Sequence, residues 1–108
     1  MAEKRVLLIT KVDAVWNKIE EFHKYWEEKS LPIWEKNGAR HIGSFVNYLG
    51  GPKNQIVRLF EFESITAWDK FMQIRQKRWE TEAGQEGLQK LFPYLEKIEE
   101  TVWTSAYD

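Results

Sequence analysis

Asn54-Gln55-Ile56-Val57-Arg58-Leu59-Phe60-Glu61-Phe62-Glu63-Ser64 is the stretch whose reading decides the fold. Side chains on a strand alternate between faces, so Val57 and Leu59 share one face with Glu61, while Ile56, Phe60 and Phe62 share the other with Arg58. Both faces are mostly apolar. A strand covered on one side only would alternate apolar with polar, so this one belongs in the middle of a sheet whose two faces are both covered. It runs into Ser64, a residue type suited to cap a following helix.

Working outward, the Val-Leu-Leu-Ile run within residues 5–11 forms a second near-continuous apolar strand, expected beside the first. Asp13 stands where an N-cap should, ahead of Val15, Ile19, Phe22 and Trp26 at helical spacing. That helix is expected to break near Ser30-Leu31-Pro32, because proline disfavours helical geometry in the residue before it. A short second piece then runs to Lys36, and Gly38 stops it. Residues 39–49 mix polar and apolar positions as an edge strand would, and Gly50-Gly51-Pro52-Lys53 reads as the turn of a hairpin. After Ser64, the positions Ile65, Trp68, Phe71, Met72 and Trp79 predict a helix to about Ala83, interrupted by Gly84 and Gly87. Residues 88–92 add at most one turn before Pro93. Tyr94 onward reads as a last edge strand through Ile98, Val102 and Trp103.

The order β-α-β-β-α-β points to an α+β fold, the ferredoxin-like split unit with a four-stranded antiparallel sheet. Its first and third strands are expected to be central, running parallel to each other, with both helices on one face. The two most apolar runs are the first and third strands, so pattern and topology agree. Two helices leave the second sheet face bare, and the simplest cover is the same face of a second copy. A homodimer is the expected assembly.

Composition sets the classes that remain. A chain of 108 residues, 43% hydrophobic and 31% charged, suits one globular domain over residues 1–108. Six tryptophans are more apolar surface than so short a chain readily hides, which suggests a partner face or a lined cavity. A net charge of -1 gives no electrostatic footprint for nucleic acid or an anionic membrane, and neither partner is expected. The chain has no cysteine, which removes disulfides, thiolate nucleophiles and sulfur-ligated metals. No apolar run is long enough to span a bilayer, and Met1-Ala2-Glu3-Lys4-Arg5 leads directly into a strand rather than a signal sequence. The cytoplasm is the expected location.

With these elements placed, the chain resembles a known family. Residues 50–64, with their glycines, Asn54-Gln55, Leu59-Phe60-Glu61-Phe62-Glu63-Ser64, and Trp68 on the next helix, are similar to the signature stretch of NIPSNAP-like proteins, members of the dimeric α/β barrel superfamily. The leading strand, the Pro32-containing helix end, Ile42-Gly43-Ser44-Phe45 and the closing strand fall where that family has them. Phe60 stands where the family usually carries tryptophan, and Phe62 replaces a frequent tyrosine. The resemblance implies a dimer whose sheets meet, with a pocket between sheet and helices in each subunit. The superfamily includes cofactor-free monooxygenases, cyclases, isomerases and haem-handling enzymes, so the fold does not choose among them.

The residues themselves supply the candidate site. Arg58 is the sharpest anomaly, a guanidinium on a central strand among Ile56, Phe60 and Phe62, and a buried arginine is costly unless paired. Its counterpart is either a glutamate in a structural salt bridge or the carboxylate or enolate of a ligand. His23 flanks the Ile19, Phe22 and Trp26 stripe and is the candidate proton carrier, with a satisfied boundary histidine as the plainer alternative. Trp26, Phe60, Trp68 and Phe71 are the candidate apolar walls of a binding pocket, or else plain core. His41 reads as an edge-strand surface residue. The two histidines make a poor metal site, and no phosphate loop, nucleophile elbow or zinc-helix motif is present, so neither metal nor cofactor is expected. Glu61 and Glu63 share a face, but Glu63 adjoins a helix start, where a solvated carboxylate is ordinary. Arg75, Lys77 and Arg78 sit late in their helix, where the dipole favours positive charge. The expected function is binding of a small apolar or aromatic organic molecule and, if the protein is an enzyme, cofactor-free chemistry carried by Arg58 and His23. A non-catalytic interaction or scaffold protein is the alternative.

Overall fold

The computed structural model describes residues 4–51 and 54–106. In chain order it has β1 (Val6–Ala14), α1 (Ile19–Lys29), α2 (Leu31–Lys36), β2 (Arg40–Val46), β3 (Gln55–Phe62), α3 (Ile65–Trp79), α4 (Glu82–Leu91), a 3-10 turn (Phe92–Tyr94) and β4 (Leu95–Thr104). The strands form one sheet in the order β2-β3-β1-β4, which is the ferredoxin-like arrangement with β1 and β3 central.

The two central strands run antiparallel, not parallel as expected, with Val6 opposite Phe62 and Val12 opposite Ile56. The reason is topological. The α1 crossover returns the chain parallel to β1, and the β2–β3 hairpin then reverses it, so the strand inserted beside β1 must run against it. One face of the sheet is buried under the helices. Val6, Leu8, Thr10, Val12 and Ala14 of β1 and Ile56, Arg58, Phe60 and Phe62 of β3 are all buried there. They meet Phe22 and Trp26 of α1 and Phe71 of α3 in one core, with the Phe62 and Phe71 rings 5.1 Å apart and Trp34 of α2 4.7 Å from Phe60.

Asp13 does not cap α1. It lies in β1 opposite Gln55, and its carboxylate accepts from Gln55 Nε2 at 2.9 Å. Ala14 N donates to Asn54 O at 2.8 Å, and Asn54 Nδ2 donates back to Ala14 O at 2.6 Å. These long-range bonds keep the chain extended past the expected stop, and the turn that follows places Asn17 at φ 60°. Val15 therefore lies outside α1, whose apolar stripe begins at Ile19. The break at residues 30–32 falls as the proline argument requires, with Pro32 in the first turn of α2 and Gly38 closing it at φ 99°. At the β2–β3 turn Gly50 adopts φ 88°, while Pro52 and Lys53 lie outside the described residues.

Ser64 caps α3, its hydroxyl accepting from Ala67 N at 3.1 Å. Ser64→Ala should cost about 0.5–2 kcal/mol, read as a shift in urea midpoint at constant slope. A loss of ligand affinity at unchanged stability would instead place the hydroxyl in the chemistry.

The expected end of α3 at Ala83 is incorrect, and the glycines do not break a helix. Helix α3 stops at Trp79, and Thr81 caps the start of α4, accepting from Gly84 N at 3.0 Å and donating to Arg78 O at 2.6 Å. Gly84 and Gly87 both lie inside α4. A Cβ on Gly84 would stand 1.8 Å from the Arg78 carbonyl oxygen, so this glycine is the contact through which α4 folds back onto α3.

Candidate functional site

Apart from His41 and Thr104 on the edge strands, the polar side chains of the helix-covered sheet face fall in one row. Ser44, Arg58, Thr10 and Glu100 are register partners across β2, β3, β1 and β4, so their side chains form a polar belt at one level of the sheet. The rows on either side run His41, Phe60, Leu8 and Val102, and Val46, Ile56, Val12 and Ile98. A cavity of about 110 Å³ lies over the belt. Thr10, Arg58 and Glu100 lie on its sheet side, and Phe22, Trp26, Trp34, Trp79, Leu88 and Leu91 are among its walls.

Arg58 is 1% exposed. Its guanidinium carbon stacks 3.9 Å from the Trp26 ring centre and 5.1 Å from that of Phe22, an arrangement in which each ring face attracts the cation. Among the described residues, no carboxylate lies within ion-pair distance of it. Nη2 lies 3.2 Å from His23 Nδ1, and Nε is buried with no hydrogen-bond partner. Burial pulls the Arg58 pKa well below the ordinary arginine value, to about 10, against the opposing pull of the Glu27 charge. Of the two counterparts left open for Arg58, a direct structural salt bridge is therefore not what the fold supplies.

His23 is half-buried and bridges outward. An arginine can only donate, so Nδ1 is the acceptor and the ring proton sits on Nε2, 3.2 Å from Glu27 Oε1. Both ring nitrogens are thus engaged, and His23 is not among the residues lining the cavity. The fold brings Arg58 and His23 together but turns only Arg58 towards the space.

The apolar candidates divide. Trp26 lines this cavity, and Phe71 lines a neighbouring one. Phe60 is fully buried between Trp26, Trp34 and His41 and lines neither. Trp68 packs at the core margin with its Nε1 buried and without a hydrogen-bond partner. His41 is not a plain surface residue. Its ring lies 5.3 Å from Phe60 and hydrogen-bonds Ser44 Oγ through Nε2 at 2.9 Å. The extra residue Ile42 in the β2–β3 register, where the pairing slips between His41 and Gly43, allows this inward turn.

Thr10 and Glu100 were not picked out by the sequence reading, and Arg75 was read there only as a charge favoured by its own helix end. Arg75 makes two parallel bonds to the Glu100 carboxylate, at 2.8 and 2.9 Å, and lies 4.8 Å from the Trp79 ring centre. Its charge is spent on β4 rather than on its own helix end. The available signals were its place four residues after Phe71, on the apolar stripe, and the inward parity of Thr10 and Glu100 on their strands.

The fold and this site define a ferredoxin-like α+β protein with a cation-bearing cavity between sheet and helices. The NIPSNAP family model matches residues 13–107, and the chain belongs to the NIPSNAP family. Its structure is similar to an uncharacterised NIPSNAP domain protein from Burkholderia xenovorans, with TM-score 0.76 and 20% identity over 94% of this chain and 95% of that one. A NIPSNAP family protein from Agrobacterium tumefaciens gives TM-score 0.77 and 19% identity over 100% and 92%. A dimeric ferredoxin-like protein from an uncultured marine organism gives 0.68 and 22% over 98% and 91%. No curated protein matches the sequence. Among the described residues no helix is long and apolar enough to cross a membrane.

Proposed function

We propose that this NIPSNAP protein binds a small apolar or aromatic organic acid in the cavity over the polar belt, with the acid's oxygens on Arg58. One observation carries the reading: a desolvated guanidinium lines the cavity and, among the described residues, has no carboxylate partner. Such a charge is worth keeping where an anion completes it, because a paired and hydrogen-bonded ion is far less costly than a lone one. At about 110 Å³ the cavity is smaller than the roughly 150 Å³ apolar cavity that takes benzene, so it suits a short acyl chain or part of a ring. Glu100 does not repel such an anion strongly, because Arg75 holds its carboxylate. If the ligand is transformed, Arg58 would stabilise an enolate or other developing negative charge. That suits cofactor-free isomerase, cyclase or monooxygenase chemistry. His23 then acts first by positioning Arg58, and as a proton carrier only after releasing Nδ1 from it.

Native mass spectrometry of the purified protein, followed by calorimetry with the identified molecule and its neutral amide, tests this. An acid held at least tenfold more tightly than its amide, about 1.4 kcal/mol, is the expected result. Equal affinity for the two would overturn the reading.

The assembly is proposed to be a homodimer, working in the cytoplasm, through the sheet face opposite the helices. That face carries Leu7, Ile9, Phe45, Val57, Leu59 and Trp103 by strand parity, with Phe45 and Trp103 exposed by 55% and 57%. So large an apolar surface on one side of a sheet marks an interface, and one structural neighbour is described as dimeric. Leu59→Asp puts a carboxylate at its centre and should weaken dimerisation at least about tenfold in sedimentation. A wild type that sediments as a monomer at micromolar concentration defeats this reading.

A further inference from the structure

The second cavity lies between the helices rather than over the sheet. It measures about 160 Å³, shares Trp26, Trp34, Arg75, Trp79, Leu88 and Leu91 with the first, and extends away from it past Tyr25, Phe71 and Ile74. Its charge is one-sided. Lys29, Arg75 and Arg78 line it, and no aspartate or glutamate does. Arg75 is committed to Glu100, whereas Lys29 and Arg78 have no ion-pair partner among the described residues. Each is a cation in the last turn of its helix, Lys29 in α1 and Arg78 in α3, and the helix dipole accounts for one such charge at each end. It does not account for both converging on one aromatic groove.

Gly87 adds a second, independent observation. It lines this groove and not the other cavity, sits inside α4, and a Cβ built on it meets nothing within 4 Å. Gly84 is demanded by backbone contact, but no steric reason demands Gly87, and glycine is among the poorest residues for a helix interior. A side chain there has open space around it, at a position that borders the groove.

We infer that this interhelical groove is a second binding site, separate from the Arg58 cavity, for an aromatic carboxylate or sulfonate. The ring stacks among Tyr25, Trp34 and Trp79, and the anionic group meets Lys29 and Arg78. Gly87 keeps the wall open. The site stands whether or not Arg58 binds a ligand.

The probe is 2-naphthoate, with 2-naphthamide as its neutral counterpart, followed by tryptophan fluorescence and by calorimetric stoichiometry. The wild type should bind the acid at least tenfold more tightly than the amide. Gly87→Leu should abolish that binding while keeping or raising the melting temperature, and Lys29→Gln combined with Arg78→Gln should reduce it at least tenfold. In an Arg58→Met background, where the first cavity has lost its cation, the Lys29→Gln and Arg78→Gln pair should still reduce 2-naphthoate binding at least tenfold, which separates this site from the first. The inference is overturned if Gly87→Leu binds the acid as wild type does, if the amide binds equally well, or if only Arg58→Met removes the binding. Should Gly87→Leu fold poorly, the Lys29 and Arg78 double variant decides alone, since exposed charge-to-amide changes leave the fold intact.

Discussion

Arg58→Met is expected to make the protein more stable and to cost it its ligand, lowering affinity for an organic acid at least about 100-fold, or roughly 2.7 kcal/mol. The stability gain follows from the depressed pKa. The Arg58 pKa is lowered to about 10 in the folded chain, well below the ordinary arginine value, which at neutral pH corresponds to a cost on the order of 3 kcal/mol for holding the charged form inside. Methionine keeps the stem and sets a polarizable sulfur against Trp26 and Phe22, while the cation–ring attraction and the bond to His23 are lost. A net gain of about 1 kcal/mol or more should remain, in line with replacements of buried ions by apolar residues.

The sign with pH is also set. The folded pKa lies below the unfolded one, so the cost of the charge is complete below pH 10 and disappears as pH rises from about 10 towards the ordinary arginine value. The advantage of the methionine variant over wild type in urea denaturation should therefore be constant from pH 6 to 9 and shrink above that. A variant that is destabilised and still binds acid would show that Arg58 holds the fold together and has no ligand role. Such a stability gain against lost function is what a site residue, unlike a core residue, produces.

Gly84→Ala is expected to be the most damaging single methyl addition in the chain. Its Cβ would stand 1.8 Å from the Arg78 carbonyl oxygen and 2.7 Å from the carbonyl carbon, and both are backbone atoms of the turn that Thr81 ties down. No rotamer change relieves such contact, so α4 must lift from α3. Overpacking commonly costs about 1–3 kcal/mol; with backbone on both sides the expectation is about 4 kcal/mol or more. Because α4 supplies Leu88 and Leu91 to both cavities, ligand binding should fall with stability. Gly87→Ala is the control, three residues along the same helix with open space at its Cβ, and it should stabilise by about 0.5–1 kcal/mol. Equal effects at the two positions would contradict the α3–α4 packing described above.

The tryptophans serve more than one end. Trp26 and Trp34 pack edge to face, 5.5 Å apart, and each closes the core on one side and lines both cavities on the other. Exposed Trp103 belongs to the opposite sheet face. The aromatic surface that composition revealed is thus divided among cavity walls, the opposite sheet face, the core margin at Trp68 and an exposed Trp16 after β1, rather than concentrated in one core.

What the amino-acid sequence determined by itself was everything governed by neighbours along the chain. Alternation over residues 54–64 placed Arg58 beside Ile56, Phe60 and Phe62, and the buried-every-second-residue pattern of β3 follows it. The local chemistry of Ser64 gave the α3 cap, and that of Pro32 gave the α1–α2 break, because caps and breaks depend on a few consecutive dihedrals. The two apolar runs also gave the central strands their place. Contacts between distant segments decided the rest. Asp13 stays in β1 because Gln55, forty-two positions on, holds its carboxylate. α4 exists because Gly84 can reach the Arg78 carbonyl. Arg58 lacks a carboxylate because His23 stands between it and Glu27. Arg75 leaves its helix's dipole for Glu100 because β4 brings that residue beneath it. Alternation says which face a strand residue takes but not which residue stands opposite, since register is a property of two chain segments at once. The row Ser44, Arg58, Thr10 and Glu100, and the cavities beside it, come into being only when four strands align.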